Sequence, residues 1–346
     1  MLPKIALEEA FYYAHDATGS LSDDPAYVAT SQGLEPDWFR PVWDRLLEIG
    51  PERIAAMDTA NVRYSILSHN APGIQGITDT AVAVSLAAEV NDYLAESISA
   101  YPDRFGAFAQ LPTIDPARAA SELQRAVNQL GFHGAMINGY TGLGDDKAIY
   151  LDEDINEPLW STLQELKVPL YIHPRPMAGD VCALRGHPEI VGATWAFAPE
   201  TATHLLRIIF SGVLDRFPDV QIIVGHLGEG LPALLGRIQH YFNANPFGHS
   251  LQRPLSEYFY SNIHITTSGN FNDQALISGI LSVGADNILF SVDYPFADPE
   301  VAGPWLDTAP ISEKDRRKIA YGNAERLLGL PASNVASNNE NDTQSH

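Results

Sequence analysis

Two carboxylates and two imidazoles define the chemistry open to this chain. Glu8 follows Lys4–Leu7, His173 follows Tyr171-Ile172, His226 follows Val224-Gly225, and Asp293 follows Ser291-Val292. Each stands at the end of a short apolar segment that reads as a β-strand. Carboxylate oxygens and imidazole nitrogens brought to one place suit a divalent metal such as Zn, Mn, Mg or Fe. They also suit proton transfer, because burial and neighbouring charge move the pKa of a carboxyl or an imidazole toward neutrality. A single histidine is more often structural than catalytic. His15, His69, His133, His187, His204, His240, His249, His264 and His346 are read as structural, with His69 set a little apart because it and Asn70 follow a strand of their own. Glu9 alternates away from Glu8 and reads as a structural ion-pair partner.

The four residues converge only if the strands that carry them are neighbours. Apolar, β-branched segments recur at Lys4–Leu7, Val62–Leu67, Phe105–Leu111, Gly134–Ile137, Pro169–Ile172, Val220–Val224, Ile263–Thr267 and Asn287–Val292. Amphipathic stretches separate them: Thr80–Tyr101, Pro116–Leu130, Glu157–Leu166, Glu200–Phe217, Leu231–Phe242 and Asn272–Val283. Several of the strands are apolar throughout, as strands buried on both faces of a parallel sheet are. Eight such units predict an α/β fold of the (β/α)8, TIM-like barrel type, whose active site lies where the strands end. An open doubly wound sheet is the alternative. No G-x-G-x-x-G follows the first strand and no Walker A sequence occurs, so nucleotide binding has no support.

Two connections are long. Residues 11–41 carry Tyr12, Tyr13, Tyr27, Trp38 and Phe39 and form an inserted loop region after strand one, and residues 138–156 are rich in Gly and Asp. Such insertions serve as lids, pocket walls or subunit contacts.

The chain has 346 residues, which suits one barrel domain over 1–331, followed by a polar tail over 332–346 that reads as disordered. Hydrophobic residues make up 45%, enough for a large core. The net charge is 21 − 43 = −22, which argues against nucleic acid and against an anionic membrane surface. The apolar run at the start meets Glu8 and Glu9 too early for a signal peptide, and no stretch is long enough to span a bilayer. One cysteine, Cys182, supports neither a disulfide framework nor a thiolate zinc site. A reducing, cytoplasmic location is expected.

Longer motifs then resemble one group. They are residues 4–11 (KIALEEAF), 70–73 (NAPG), 91–93 (NDY), 102–108 (PDRFGAF), 172–175 (IHPR), 225–229 (GHLGE), 265–269 (ITTSG) and 291–296 (SVDYPF). The chain resembles, from about residue 3 to 330, the metal-dependent hydroxybenzoate decarboxylases of the amidohydrolase superfamily, which include the 2,3-dihydroxybenzoate and γ-resorcylate types. The resemblance implies a (β/α)8 barrel and non-oxidative loss of CO2 from an ortho-hydroxybenzoic acid such as 2,3- or 2,6-dihydroxybenzoate. It implies one divalent metal ion (Zn, Mn or Mg), no organic cofactor, and a homodimer or homotetramer. Residue by residue, Glu8, His173 and Asp293 match the metal ligands. His226 and Glu229 match the residues that pair with the aspartate, and Arg237 matches a substrate-contacting arginine. Asn70 resembles the γ-resorcylate type, whereas Ala10 replaces a histidine of that type and resembles the 2,3-dihydroxybenzoate type. With Ala10 the protein supplies one ligand fewer, so water completes the metal's shell. Phe296, just past Asp293, is a candidate to stack on the substrate ring.

In the mechanism this suggests, Asp293 protonates the ring carbon, His226 supplies the proton and Glu229 orients His226. The rival reading on the same barrel is a metal-dependent hydrolase of a lactone or amide, which Ala10 weakens. A non-catalytic binding protein on a retired barrel is the third, and the intact set of four speaks against it.

Overall fold

The protein is seen as a computed structural model that describes residues 1–332. The barrel strands are β1 (Lys4–Phe11), β2 (Val62–His69), β3 (Phe105–Ala107), β4 (Ala135–Asn138), β5 (Leu170–His173), β6 (Ile222–Val224), β7 (Ile263–Thr266) and β8 (Ile288–Leu289). Strands β1–β3 pair in parallel, and so do β4–β8 in chain order. Parallel bridges join the two groups at both edges, Ala109 with Ala135 and Glu9 with Tyr294. At the second seam Ala10 N–H donates to the Tyr294 carbonyl at 2.7 Å, and Asp293 N–H donates to the Glu8 carbonyl at 3.1 Å. The strands therefore form a ring, and the open-sheet alternative falls.

Period-two alternation sends one set of side chains inward. Ile5, Leu7, Ile66, Phe108, Met136, Tyr171, Ile223 and Leu289 form one buried cluster inside the ring, joined by Ala324 and Leu328 of the helix Asn323–Leu328. The other faces pack outward against the crossover helices, as Ile137, Ile172 and Ile222 do with Leu123, Leu163 and Ile208. Local signals set those helices. Asp115 accepts from Arg118 N–H at 3.1 Å to start Pro116–Leu130, and Gly131, at φ 73°, ends it.

Three expectations change. The insertion after β1 is mainly helical, with Pro25–Ser31, Pro36–Leu47 and then Pro51–Thr59, each opened by a proline whose missing N–H costs nothing there. Its Tyr12, Val28, Phe39, Val42, Trp43 and Leu46 form a cluster of their own, so most of its aromatic surface is spent within the chain; Tyr27 and Trp38 stay exposed. The expected helix 200–217 is two, Phe197–Phe210 and Val213–Arg216, parted at Gly212 with φ 77°. Residues 138–156 contain a hairpin, Thr141–Gly144 with Lys147–Ile149. The polar tail expected from 332 lies, past Ala332, outside the described residues. Among those residues no helix is long and apolar enough to cross a membrane.

Candidate active site

Glu8 lies within β1 rather than just after it, and points into the barrel mouth, where it is buried. Its Oε2 accepts from Ser268 Oγ at 2.5 Å and from the Tyr171 hydroxyl, with Thr266 Oγ1 at 3.4 Å. Its Oε1 has no hydrogen-bond partner and lies 3.5 Å from His173 Nε2 and 3.6 Å from His226 Nε2. Tyr171 and His173 share the inward face of β5 because they are two residues apart. A Cβ at Gly225 would stand 2.8 Å from Glu8 Oε2, so glycine lets the β6 exit run this close to the carboxylate.

His226 Nδ1 lies 2.6 Å from Glu229 Oε1, and its Nε2 lies 3.9 Å from Asp293 Oδ2. His226, Leu227, Glu229 and Asp293 all have left-handed backbones, with φ of 52°, 57°, 54° and 74°. A residue with a side chain gives up about 1–3 kcal/mol in that region, and such strain clusters at functional sites. Hydrogen bonds hold the turns: His226 N–H to Ser268 Oγ at 3.1 Å, and Asn270 Nδ2 to the His226 carbonyl at 3.2 Å.

The four groups sit in opposed electrostatic environments. Burial raises Glu8, but His226, His173, Ser268 and Tyr171 outweigh it and hold the carboxyl below its ordinary value. Burial lowers His173, against the pull of Glu8. At His226 burial disfavours the cation, yet Glu229 and Glu8 overcome it and push the imidazole well above its usual range. Burial and the charge of Glu8 push Asp293 well above a normal carboxyl. The two carboxyls are thus driven in opposite directions, and so are the two imidazoles, the pattern by which a site sets its titratable groups to different tasks.

The donor set fits a divalent cation. Glu8, His226 and Asp293 offer ligand atoms within 4.8 Å of one another, and the unpartnered Glu8 Oε1 lies among them. This trio holds His226 in place of the expected His173, whose Nε2 lies 3.5 Å from Glu8 Oε1.

A cavity of about 810 Å³ opens over this floor. His226, Glu229, Asp293 and Asn270 line its base, and Trp195, Phe197, Leu206, Leu231, Leu234 and Ile238 line its walls. A few polar groups at the foot of an apolar cleft are the usual form of a small-molecule site. Three expected substrate contacts are not among the residues lining it. Arg237 is exposed, with its guanidinium 4.8 Å over the Tyr241 ring, past the helix face that presents Leu234 and Ile238. Phe296 stacks at 6.2 Å on Phe39 of the insertion. Asn70 is buried at the end of β2, where its amide donates to the Ala71 carbonyl at 3.1 Å. His69 is buried against Phe11 and Tyr12, and burial pushes its imidazole down to about 3. His133, His204 and His264 have structural partners in Tyr64, the Leu151 amide and Gln221. Sequence reasoning missed Tyr171, Thr266 and Ser268, which hold Glu8; the two-residue spacing of Tyr171 and His173 was the available signal.

The family profile described as Amidohydrolase matches residues 14–330. The γ-resorcylate decarboxylase of Rhizobium sp. (strain MTP-10005) is 44% identical over 336 residues, 95% of this chain and 99% of that one. The chain belongs to the amidohydrolase superfamily, among its hydroxybenzoate decarboxylases. This decarboxylase is also similar to a solved 2,6-dihydroxybenzoate decarboxylase complexed with 2,6-dihydroxybenzoate, at a TM-score of 0.88 and 43% identity, covering 95% of this chain and 100% of that one. A dihydroxybenzoic acid decarboxylase from Polaromonas sp. JS666, solved with manganese and the inhibitor 2-nitroresorcinol, superposes at 0.86 with 41% identity, covering 96% and 98%. All three are named for decarboxylation, which favours that reading over hydrolysis of a lactone or amide.

Proposed function

We propose that the substrate of this decarboxylase is 2,6-dihydroxybenzoate or a close ortho-hydroxybenzoate, and that Glu8, His173 and Asp293 hold one divalent metal while Asp293, His226 and Glu229 manage the proton. The observation that carries the reading is the floor of the cavity. The Asp293 carboxyl, pushed up by burial and by Glu8, lies 3.9 Å from His226 Nε2 there, beside a buried carboxylate with one unpaired oxygen. Asn70 resembles the γ-resorcylate type, and Ala10 resembles the 2,3-dihydroxybenzoate type. Manganese, which the Polaromonas relative binds, is the first metal to test.

Direct loss of CO2 from a benzoate would leave an aryl anion. Protonation of the ring carbon first avoids it. Asp293 gives its proton to the carbon bearing the carboxylate, the bond to CO2 breaks, and its electron pair restores the aromatic ring. His226 returns a proton to Asp293, and Glu229 fixes the His226 ring through Nδ1. His173 is assigned as a ligand by the family resemblance and because its Nε2 lies 3.5 Å from the unpaired Glu8 Oε1; burial lowers its pKa, toward the neutral imidazole that a metal binds. A divalent cation at this site would supply Lewis-acid attraction for the substrate's neighbouring phenol and carboxylate oxygens. No Lys or Arg is among the described residues that line the cavity.

The test is a panel of hydroxybenzoates assayed for CO2 release. 2,6-Dihydroxybenzoate should turn over, and 4-hydroxybenzoate, which activates the ring but lacks adjacent oxygens, should be slower by about 10²-fold or more. Equal rates would remove chelation as the organising principle. The reverse carboxylation should appear in concentrated bicarbonate.

The homodimer or homotetramer remains part of the proposal. Trp195 and Leu234 at the cavity mouth, and Tyr241 on the same helix as Leu234, are exposed by 58, 48 and 57%, an apolar surface suited to burial by another copy. Light scattering should find a multiple of 37.8 kDa; a 37.8 kDa particle at micromolar concentration would refute it. A cytoplasmic location is proposed with it, since the single thiol, Cys182, is free and exposed.

A further inference from the structure

Glu9 and Arg53 take no part in the reaction as described, yet both are buried, at 3 and 1% exposure. Charged groups are costly to bury and persist where their contacts do something. Glu9 leaves β1 on the side opposite Glu8 and grips the backbone on both sides of Asp293. Val292 N–H donates to its Oε1 at 2.9 Å, and Tyr294 N–H donates to its Oε2 at 3.3 Å. The amide between them, Asp293 N–H, donates to the Glu8 carbonyl at 3.1 Å. Three consecutive amides around a left-handed residue, φ 74°, are thus held by the dipeptide Glu8-Glu9. Arg53 and Glu9 line one small cavity with Ser65, Val292 and Tyr294. Arg53 is itself anchored, with Nε on the Glu48 carbonyl at 2.9 Å, Nη2 on the Arg45 carbonyl at 3.0 Å, and its guanidinium 5.0 Å over the Tyr294 ring.

We propose that Glu9 is a positioning residue for Asp293, with Arg53 packed over the Tyr294 ring behind it. A non-glycine residue keeps a left-handed conformation only where its surroundings over-determine it. Here the surrounding contacts are the two amides on Glu9, the Asp293 amide on the Glu8 carbonyl, and the Asp293 carbonyl, which accepts from Phe296 N–H at 2.8 Å and Ala297 N–H at 2.9 Å; of these only the Glu9 pair is made by a side chain. One adjacent pair of glutamates then does both jobs: Glu8 faces the metal site, and Glu9 aims the aspartate that completes it. Loosening the grip would move the Asp293 carboxyl relative to Glu8, so metal affinity and proton delivery would suffer together.

The inference rests on the metal-site reading above, and the experiment separates the two. Glu9→Gln keeps the shape but turns an amide N–H2 toward a backbone N–H. Lys4→Met is the control: it breaks the buried Lys4–Asp307 pair, 3.1 Å, at the opposite end of β1. For wild type and both variants, Mn2+ affinity is measured by competition with a chelator, and kcat and KM for 2,6-dihydroxybenzoate at saturating Mn2+. Glu9→Gln should bind Mn2+ about 10–100-fold more weakly and lose a similar factor in kcat, while KM moves by less than about threefold. Lys4→Met should lower Tm and leave both readouts unchanged. A folded Glu9→Gln with wild-type affinity and kcat overturns the inference, and so does an equal loss in Lys4→Met. Absence of Mn2+ binding by the wild type would instead defeat the metal-site reading. Should Glu9→Gln fail to fold, Glu9→Asp keeps the carboxyl and withdraws it by one methylene from the Val292 and Tyr294 amides. It should show the same two losses at about tenfold, and wild-type values there would overturn the proposal.

Discussion

Asp293→Asn should retain the shape of the site and lose about 10²–10⁴ in decarboxylation rate from the missing proton alone. Asp293 follows β8, where the seam of the barrel ties its amide to Glu8. Its carboxyl is pushed up by burial and by Glu8, the direction a general acid needs, and the His226 imidazole beside it is pushed up as well. The space around it is tailored: a Cβ at Gly269 would lie 3.1 Å from Asp293 Oδ2. His226→Asn should be nearly as harmful, since it removes the group that restores the proton. In D2O the wild type should place one deuterium at the vacated ring carbon. An Asp293→Asn protein that holds its metal and works at the wild-type rate would assign the proton to another donor.

The barrel was legible because strands buried on both faces are apolar throughout, and because helix signals such as Asp115 and Gly131 stand at the ends of amphipathic runs. Strand limits were less legible. The β1 strand runs on to Phe11, since Glu8 and Glu9 are held inside it by partners from β5 and from the chain around Ser268 and Asp293, all distant in sequence. The insertion's helices were signalled by Asp24-Pro25, Glu35-Pro36 and Gly50-Pro51, which place proline at the first turn. At the site, the strand-end rule found Glu8, His173, His226 and Asp293, and the structure brings them together. It could not place Arg237 or Phe296, because helix rotation and the packing of the insertion decide where those side chains go. Nor could it find the cavity's apolar wall, since Trp195 and Leu234 look like ordinary core or surface residues until the helices that carry them are seen over the barrel mouth.

Removing the divalent metal should abolish activity, and restoring Mn2+ should return it. Glu8 Oε1 is buried with no hydrogen-bond partner, facing two imidazole nitrogens and a second carboxyl. Burying an unpaired carboxylate oxygen is costly, and a cation among these ligands would relieve that cost and the repulsion between Glu8 and Asp293. Bound metal should therefore stabilise the fold, by about 4 kcal/mol when free metal exceeds its dissociation constant a thousandfold. A chelator should lower Tm and Mn2+ should raise it again. On the proposed ligand set Ala10 contributes nothing, so loss of His173 would leave only two protein ligands. His173→Asn should lose metal and activity together, whereas His226→Asn should lose activity and keep about one metal per chain by elemental analysis. That contrast decides between the two imidazoles, both of which present Nε2 to Glu8. Metal retained in His173→Asn and lost in His226→Asn would make His226 the ligand and leave His173 beside the substrate. Full activity of metal-free protein in strong chelator would end the metal reading altogether.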